Sequence, residues 1–288
     1  MNSIITRQNR DENITRLIAQ RQLYDEVGLI NNIYAVIAVF IPLLFAIVQE
    51  IFNNFEWIGI VARCYSIVVF ILSFMISSAE KKKKELAACI QQEFDVDVYQ
   101  MPWDEKLFGQ RRKISDVIVE ASERAPASRI DRKKLQNWYT SAIESLSQKE
   151  AIEACQKENC IWDIKLRERY KTMLYIILSL VIIIPTILCL AKEQLVRELL
   201  MAYIVALPVI KWLICTICDL DGDIKRMMHI KELLYSMNKK EEDQLLYIQK
   251  CIYQNRRMSV KVPNWFYKLY RDKDEIIAAR IVEFDKHN

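Results

Sequence analysis

Cys215 and Cys218 stand in the C-x-x-C spacing of a dithiol redox pair. They lie at the end of an apolar run without a thioredoxin-like context, so small packing residues at a span end are the simpler reading. Asp219, Asp221 and Asp223 follow at once and offer carboxylates for a calcium loop. The loop fails: Gly222 takes the fourth position rather than the sixth, and no Glu falls at the twelfth. The trio reads instead as solvated acids beside the apolar run. His229 and His287 are far apart, and no Cys/His spacing fits zinc. No serine occupies a nucleophile elbow. Four glycines in 288 residues leave no glycine-rich phosphate loop. The chain is therefore read as a protein without enzymatic activity, cofactor or metal.

A sharper pattern lies in Trp57 to Ser78, which is followed by Glu80 and the run Lys81-Lys82-Lys83-Lys84. Glu56, Gly59, Arg63, Ser66, Phe70, Ser73 and Ser77 recur at alternating spacings of three and four, which puts them on one helical face. Six of the seven are small or polar, so this face belongs against another helix or water rather than lipid. A second stripe holds Thr172, Tyr175, Ser179, Ile182, Thr186, Cys189 and Glu193. Lys211 adds a charge near the middle of a further apolar run. Three readings stay open. Arg63 can snorkel outward and pair with Glu56; the Gly and Ser positions suit close helix packing; or the face lines a polar path in an assembly of several subunits.

The elements that carry these stripes are membrane spans. Asn31–Phe52, Trp57–Ser78, Thr172–Ala191 and Leu199–Cys218 contain 13, 11, 12 and 10 Leu, Ile, Val or Phe residues. A helix of about 20 residues crosses the roughly 30 Å of hydrocarbon in a bilayer. In the fourth span the apolar residues supply roughly 3–6 kcal/mol of insertion energy, against a cost of about 2.5–3.5 for Lys211. Pro42, Pro185 and Pro208 fall inside spans as hinges or kinks.

Basic residues set the direction. Residues 1–30, 79–171 and 219–288 hold 4, 19 and 14 of the 41 Lys and Arg, the two short turns hold two, and the spans hold two. The positive-inside rule then puts both termini in the cytoplasm. The domain order is a cytoplasmic N-terminal helix (1–30), a first hairpin (31–78), a helical segment (79–171), a second hairpin (172–218) and a C-terminal helical segment (219–288). The fold class is all-α. Within these segments the pattern predicts a short amphipathic helix from Ile14, Leu17, Ile18 and Leu23, facing a partner or the membrane surface. It predicts another through Leu86, Ile90, Phe94 and Val98, broken before Pro102. Helices are expected at 110–124 and 129–146, with one running from about Gln148 into the third span. A long helix is expected from Ile224 to Met258, and a last one to about Phe284. Eight scattered cysteines and no cleavable leader point to a reducing compartment. The net charge of +4 is too small to indicate a nucleic acid polymer as partner.

Three short motifs carry a resemblance. Ile5-Thr6-Arg7-Gln8-Asn9 is followed by Ala19-Gln20-Arg21-Gln22-Leu23-Tyr24. Ile90-Gln91-Gln92-Glu93-Phe94-Asp95 leads to Pro102-Trp103. Ile248-Gln249, Ile252-Tyr253 and Arg256 precede Val262-Pro263-Asn264-Trp265-Phe266-Tyr267 and Arg271. In this order around two hairpins, the chain resembles the SMODS-associated four-transmembrane effectors of bacterial cyclic-oligonucleotide anti-phage signalling, the CBASS-type effectors. It departs from them at Gly28, where a longer polar helix would lead into the first span.

The resemblance implies a homo-oligomeric effector in the bacterial inner membrane. It would sense a cyclic di- or trinucleotide in the cytoplasm and then disrupt the lipid bilayer. Arginines suit the phosphates of such a ligand and aromatic faces its bases. The family-like motifs supply Trp103, Trp265, Tyr267 and Arg271, with Arg111, Arg112, Arg256 and Arg257 close by. The same residues could equally pack the two polar blocks together, with solvated arginines. The alternative function is a membrane-anchored scaffold or sensor that binds a protein partner through its cytoplasmic helices; a small transporter is a third, disfavoured by the lack of internal repeats.

Overall fold

Long apolar runs and few glycines favour the helix, and the described residues are helical with no strand. The computed structural model describes residues 2–52, 55–126, 132–193, 195–236 and 241–270. Helix α1 (Ile4–Gln8) is followed by α2 (Asp11–Ala35), which continues through a π-helical stretch (Val36–Phe40) into α3 (Ile41–Ile51). Then come α4 (Glu56–Tyr99), α5 (Glu105–Phe108), α6 (Arg111–Arg124), α7 (Gln148–Ala191), α8 (Val196–Ser236) and α9 (Glu242–Met258). Residues 264–270 are helical as well.

The chain forms two units. One is polar and gathers Met1–Val27, Lys81–Arg167 and Gly222–Asn288; the other is apolar and gathers Gly28–Glu80 and Glu168–Asp221. Helices α2, α4, α7 and α8 each contribute residues to both.

The apolar unit holds the four candidate spans, which lie in Asp11–Gln49, α4, α7 and α8. One buried cluster there holds Tyr34, Ala38 and Val69, with Ile37, Tyr65, Ile76 and Trp212 packed against them, and Leu174, Leu213 and Leu220 are fully buried as well. Most of its large side chains point outward, including Leu44, Ile71, Met75, Ile183 and Leu190. Only 11% of the most apolar stretch of α7 is buried. Such a surface is a liability in water and a requirement in hydrocarbon.

Pro42 lies just past the π-helical stretch and leaves a carbonyl within it without a backbone donor. A π turn would bond the Ile37 carbonyl to the nitrogen of residue 42, and proline has no N–H to give. The Tyr65 hydroxyl donates to that carbonyl instead, at 2.8 Å. Hydroxyl groups also meet carbonyls near the other two prolines. Ser66 Oγ donates to the Val205 carbonyl (3.1 Å), one turn before Pro208, and Tyr203 OH to the Ile182 carbonyl (2.9 Å), one turn before Pro185. Helices α7 and α8 run through their prolines unbroken.

The polar unit has a larger core. Ile4, Ile14, Leu17, Phe94, Val98, Tyr139, Cys155 and Leu245 form one cluster, while Leu23, Ala88, Ile90, Phe108, Ile118 and Tyr253 form a second. Met227, Ile230 and Leu234 of α8 pack with Ile248 and Ile252 of α9 in a third. Each fully buried aliphatic side chain contributes about 1.5–3 kcal/mol.

Four expectations are corrected here. The amphipathic face of the N-terminal helix is turned inward, with Ile14, Leu17 and Leu23 buried in the chain's own core. Helix α2 also carries straight through Gly28, so no extra polar helix is needed there. The helix expected at 129–146 is replaced, among the described residues, by short 3-10 turns at Arg132–Lys134 and Ser141–Ile143. Asn137 has φ 54° between them, and the Gln8 and Asn9 side chains bond its neighbourhood's backbone at Tyr139 and Asn137. The single helix expected from Ile224 to Met258 is instead α8 and α9, with residues 237–240 outside the described set. The last helix, to about Phe284, lies largely outside the described residues as well.

Two expectations met their elements. Helix α7 runs as one helix from Gln148 into the third span. Helix α4 ends at Tyr99, where Gln100 turns to φ 60° two residues before Pro102.

Candidate functional site

Asp95 is fully buried near the end of α4. Phe94 and Val98 put this stretch in the core, and the helical turn brings Gln92 and Asp95 to one inner face. An isolated carboxylate could not stay charged there. It is held by three donors: Tyr139 OH at 2.7 Å, Gln249 Nε2 at 2.9 Å, and Arg256 Nη1. Gln249 Nε2 also donates to Gln92 Oε1 (3.0 Å), and Gln156 Nε2 donates to Gln249 Oε1 (3.1 Å). Gln8 closes the far side by bracketing the Tyr139 backbone through both ends of its amide.

The charges around this network are tuned by it. Burial works against the Arg256 charge, but the Asp95 carboxylate outweighs it and pushes the arginine's pKa up. Burial and the Asp95 charge together hold the Tyr139 phenol far above its ordinary value, so it serves as a donor. Gln92 Nε2, Gln156 Oε1 and Arg256 Nη2 have no partner among the described residues in this buried setting.

The three motifs that carry the resemblance meet here. Gln8 comes from the first, Gln92 and Asp95 from the second, Gln249 and Arg256 from the third. Arg7 of the first motif adds a bond from Nε to the Asp97 carbonyl at 2.7 Å. Sequence reading named Asp95 and Gln249 only as motif positions, and passed over Tyr139 and Gln156. The available signal was polar residues at core-facing spacing, as in Ala88, Gln92, Asp95 and Tyr99.

A second buried clamp sits on Asp223. Its carboxylate accepts from Arg167 Nη1 (2.7 Å), the Val260 amide (2.7 Å) and Arg226 Nη2 (2.5 Å). The expectation of a solvated acid is overturned, because Asp223 is fully buried and ion-paired. Asp221 pairs with Lys171 at 3.1 Å.

The residues assigned to an anionic ligand are not all at liberty. Trp103 is half-buried, donates Nε1 to the Gly109 carbonyl (2.9 Å) and packs its ring on Phe108 with centroids 4.9 Å apart. Gly109 takes φ 84°, a conformation that favours glycine. Arg111 bonds Glu93 (3.2 Å), Arg257 bonds Glu85 (2.8 Å), and Arg256 is committed to Asp95. Arg112 is exposed and makes no ion pair among the described residues. Trp265 is 60% exposed, beside buried Phe266, and Tyr267 is half-buried. Arg271 lies outside the described residues.

In the apolar unit the stripe of α4 splits into three parts. Ser66 and Ser73 are buried against α8, where Ser66 bonds Val205 and Ser73 Oγ meets Lys211 Nζ. Gly59 is buried because α3 comes close: a Cβ there would lie 2.8 Å from Gln49 Nε2. Glu56 is exposed and Ser77 half-buried. Among the described residues no ion pair joins Glu56 to Arg63, so the expected pairing is not formed. On α7, Thr186 meets Tyr203 OH at 2.7 Å, while Ser179 is exposed. Cys215 and Cys218 are free and exposed.

The model of the SMODS-associating 4TM effector domain matches residues 2–283. The chain belongs to this family. Four apolar helices in an all-helical chain make this member a multi-pass membrane protein. A relative from Bacillus cereus (strain VD146), named a probable CBASS effector molecule, is 24% identical over 94% of both chains. No solved structure matches. The buried network of Asp95, Gln249 and Arg256 thus gives the 4TM effector's sequence motifs a shared structural role.

Proposed function

We propose that this 4TM effector acts in CBASS-type anti-phage defence. It senses a cyclic di- or trinucleotide through its polar unit and, as a homo-oligomer, permeabilises the bacterial inner membrane. Both termini lie in the cytoplasm, where most of the basic residues fall. The observation that carries the reading is that α4, α7 and α8 each belong in part to the polar unit and in part to the spans. A ligand that prefers one arrangement of these helices biases the membrane portion by its difference in affinity for the two states. The relative's name as a probable CBASS effector supports the same pathway. Arg112 and Trp265 offer an exposed cation and an exposed aromatic face for phosphate and base.

One observation favours the membrane-anchored scaffold instead: Ser66 and Ser73 are already committed to helix packing. Dye release from liposomes holding the purified chain, with a panel of cyclic di- and trinucleotides, separates the two. Release with one nucleotide, together with an oligomer in detergent, supports the effector. Absence of both, in correctly inserted protein, supports the scaffold.

A further inference from the structure

Two side chains carry charge within the spans, away from their ends: Arg63 in α4 and Lys211 in α8. Both are cations. The acids of the first hairpin, Glu50 and Glu56, stand at its turn, and the third and fourth spans hold none. Arg63 lies about 9 Å along the helix from Trp57 and Lys211 about 18 Å from Leu199, at 1.5 Å per residue. The two charges thus occupy different depths.

The surroundings of Lys211 hold its charge without cancelling it. Lys211 Nζ meets Ser73 Oγ and lies over the Phe74 ring at 3.4 Å, with the Phe70 ring at 5.6 Å. A hydroxyl oxygen and aromatic faces attract an ammonium group, yet they supply no formal negative charge. No carboxylate pairs with Lys211 or Arg63 among the described residues. An uncompensated intramembrane charge is costly, and ion paths are among the sites that such charges mark.

We infer that the path opened by this effector conducts anions in preference to cations. Repeated around an assembly, Arg63 and Lys211 give rings of positive charge within the spans, where no acidic ring offsets them and Glu56 stands only at the turn, and such rings select for anions. The inference rests on the pore reading above and names the class of solute that passes.

The test uses the full-length chain in liposomes of phosphatidylethanolamine and phosphatidylglycerol. Three dyes report chloride, potassium and carboxyfluorescein release in parallel, and the panel of cyclic di- and trinucleotides serves as trigger. Chloride flux is expected to exceed potassium flux by about tenfold, and Lys211→Met and Arg63→Gln each to move the ratio toward one. Lys211→Glu is expected to move it past one, in favour of potassium. Equal or potassium-favoured flux in the wild type overturns the inference while leaving permeabilisation standing. So does a ratio unmoved by all three variants. Early loss of carboxyfluorescein alongside both ions also overturns it, since that is general bilayer damage. No flux of any dye from inserted protein removes the pore reading itself and the inference with it.

Discussion

Arg256 of α9 donates its guanidinium to the Asp95 carboxylate of α4, across 161 residues of sequence and in the interior of the polar unit. Asp95 is wholly buried, and Gln249 and Tyr139 complete its set of donors. A buried pair of this kind adds little net stability compared with apolar residues of the same shape, but it strongly penalises loss of one partner. It therefore fixes how α4, α9 and the Tyr139 segment fit together rather than how strongly they cohere.

The first prediction follows from that asymmetry. Asp95→Ala leaves Arg256 charged and uncompensated, and costs about 3–5 kcal/mol. The double variant Asp95→Leu with Arg256→Leu recovers most of the loss. Thermal unfolding in detergent, followed by tryptophan fluorescence, measures both. A single variant that melts like the wild type would mean that solvent reaches the pair.

The acid limb of stability gives the second. Burial alone would raise the Asp97 carboxyl, but the Asn13 amide and the charges of Arg7 and Arg16 hold it below its ordinary 3.8. Glu26 behaves likewise below 4.5, where burial is outweighed by Lys83, Gln22 and Arg124. A carboxyl lowered on folding stabilises fully above its unfolded pKa, and the benefit disappears as pH falls through the folded value. The polar unit is therefore expected to lose stability from about pH 4.5 downward, as both groups become protonated. Asp97→Asn should lower the melting temperature at pH 7 and converge with the wild type near pH 2. A constant gap across that range would count against the assignment.

The spans could be read from the sequence because a span is a local statement: some twenty apolar residues in a row suffice. The stripes could be read too, but not their partners, since Ser66 answers a carbonyl 139 residues away. The segment at 129–146 misled for a related reason. Leu135, Tyr139 and Ile143 recur at helical spacing and are all buried. Yet side chains of Gln8 and Asn9 take the backbone bonds that a helix would have made. Asp223 looked like a solvated acid because Arg167 and the Val260 amide come from elsewhere in the chain. Of the residues considered for a ligand, Trp103 bonds the Gly109 carbonyl and Arg256 pairs with Asp95, and the Asp95 pairing could not be read from local sequence.

The third prediction concerns proline repair in the spans. Tyr65→Phe removes the hydroxyl that serves the Ile37 carbonyl and leaves that carbonyl unpaired beside Pro42. The cost is about 0.6–1.7 kcal/mol, the range for interhelical bonds in bilayers. Ser66→Ala should cost a similar amount. Ser66→Leu should cost more, about 1–3 kcal/mol, because the site is fully buried against α8 and has no room. Steric-trap or denaturant unfolding in bicelles gives the ranking, and a leucine variant as stable as the alanine one would show that α4 and α8 separate freely.

The two tryptophans of the motifs give the last prediction, because the structure puts them in opposite settings. Trp103 is half-buried, hydrogen-bonded and packed at a tilt against Phe108; Trp265 is 60% exposed. Trp103→Ala should therefore destabilise by about 0.5–3 kcal/mol, and Trp265→Ala by less than about 0.5. If Trp265 stacks on a base of the second messenger, its loss removes about 1–3 kcal/mol of binding. That corresponds to roughly 5–150-fold in affinity. Trp265→Phe keeps a stacking face and should restore most of it. Calorimetric titration of the detergent-solubilised chain with cyclic di- and trinucleotides reads affinity separately from folding. An affinity unchanged in Trp265→Ala, with the fold intact, would move the aromatic face from ligand recognition to contact with another protein. A folded but non-binding variant that Trp265→Phe rescues would tie the exposed ring to the nucleotide.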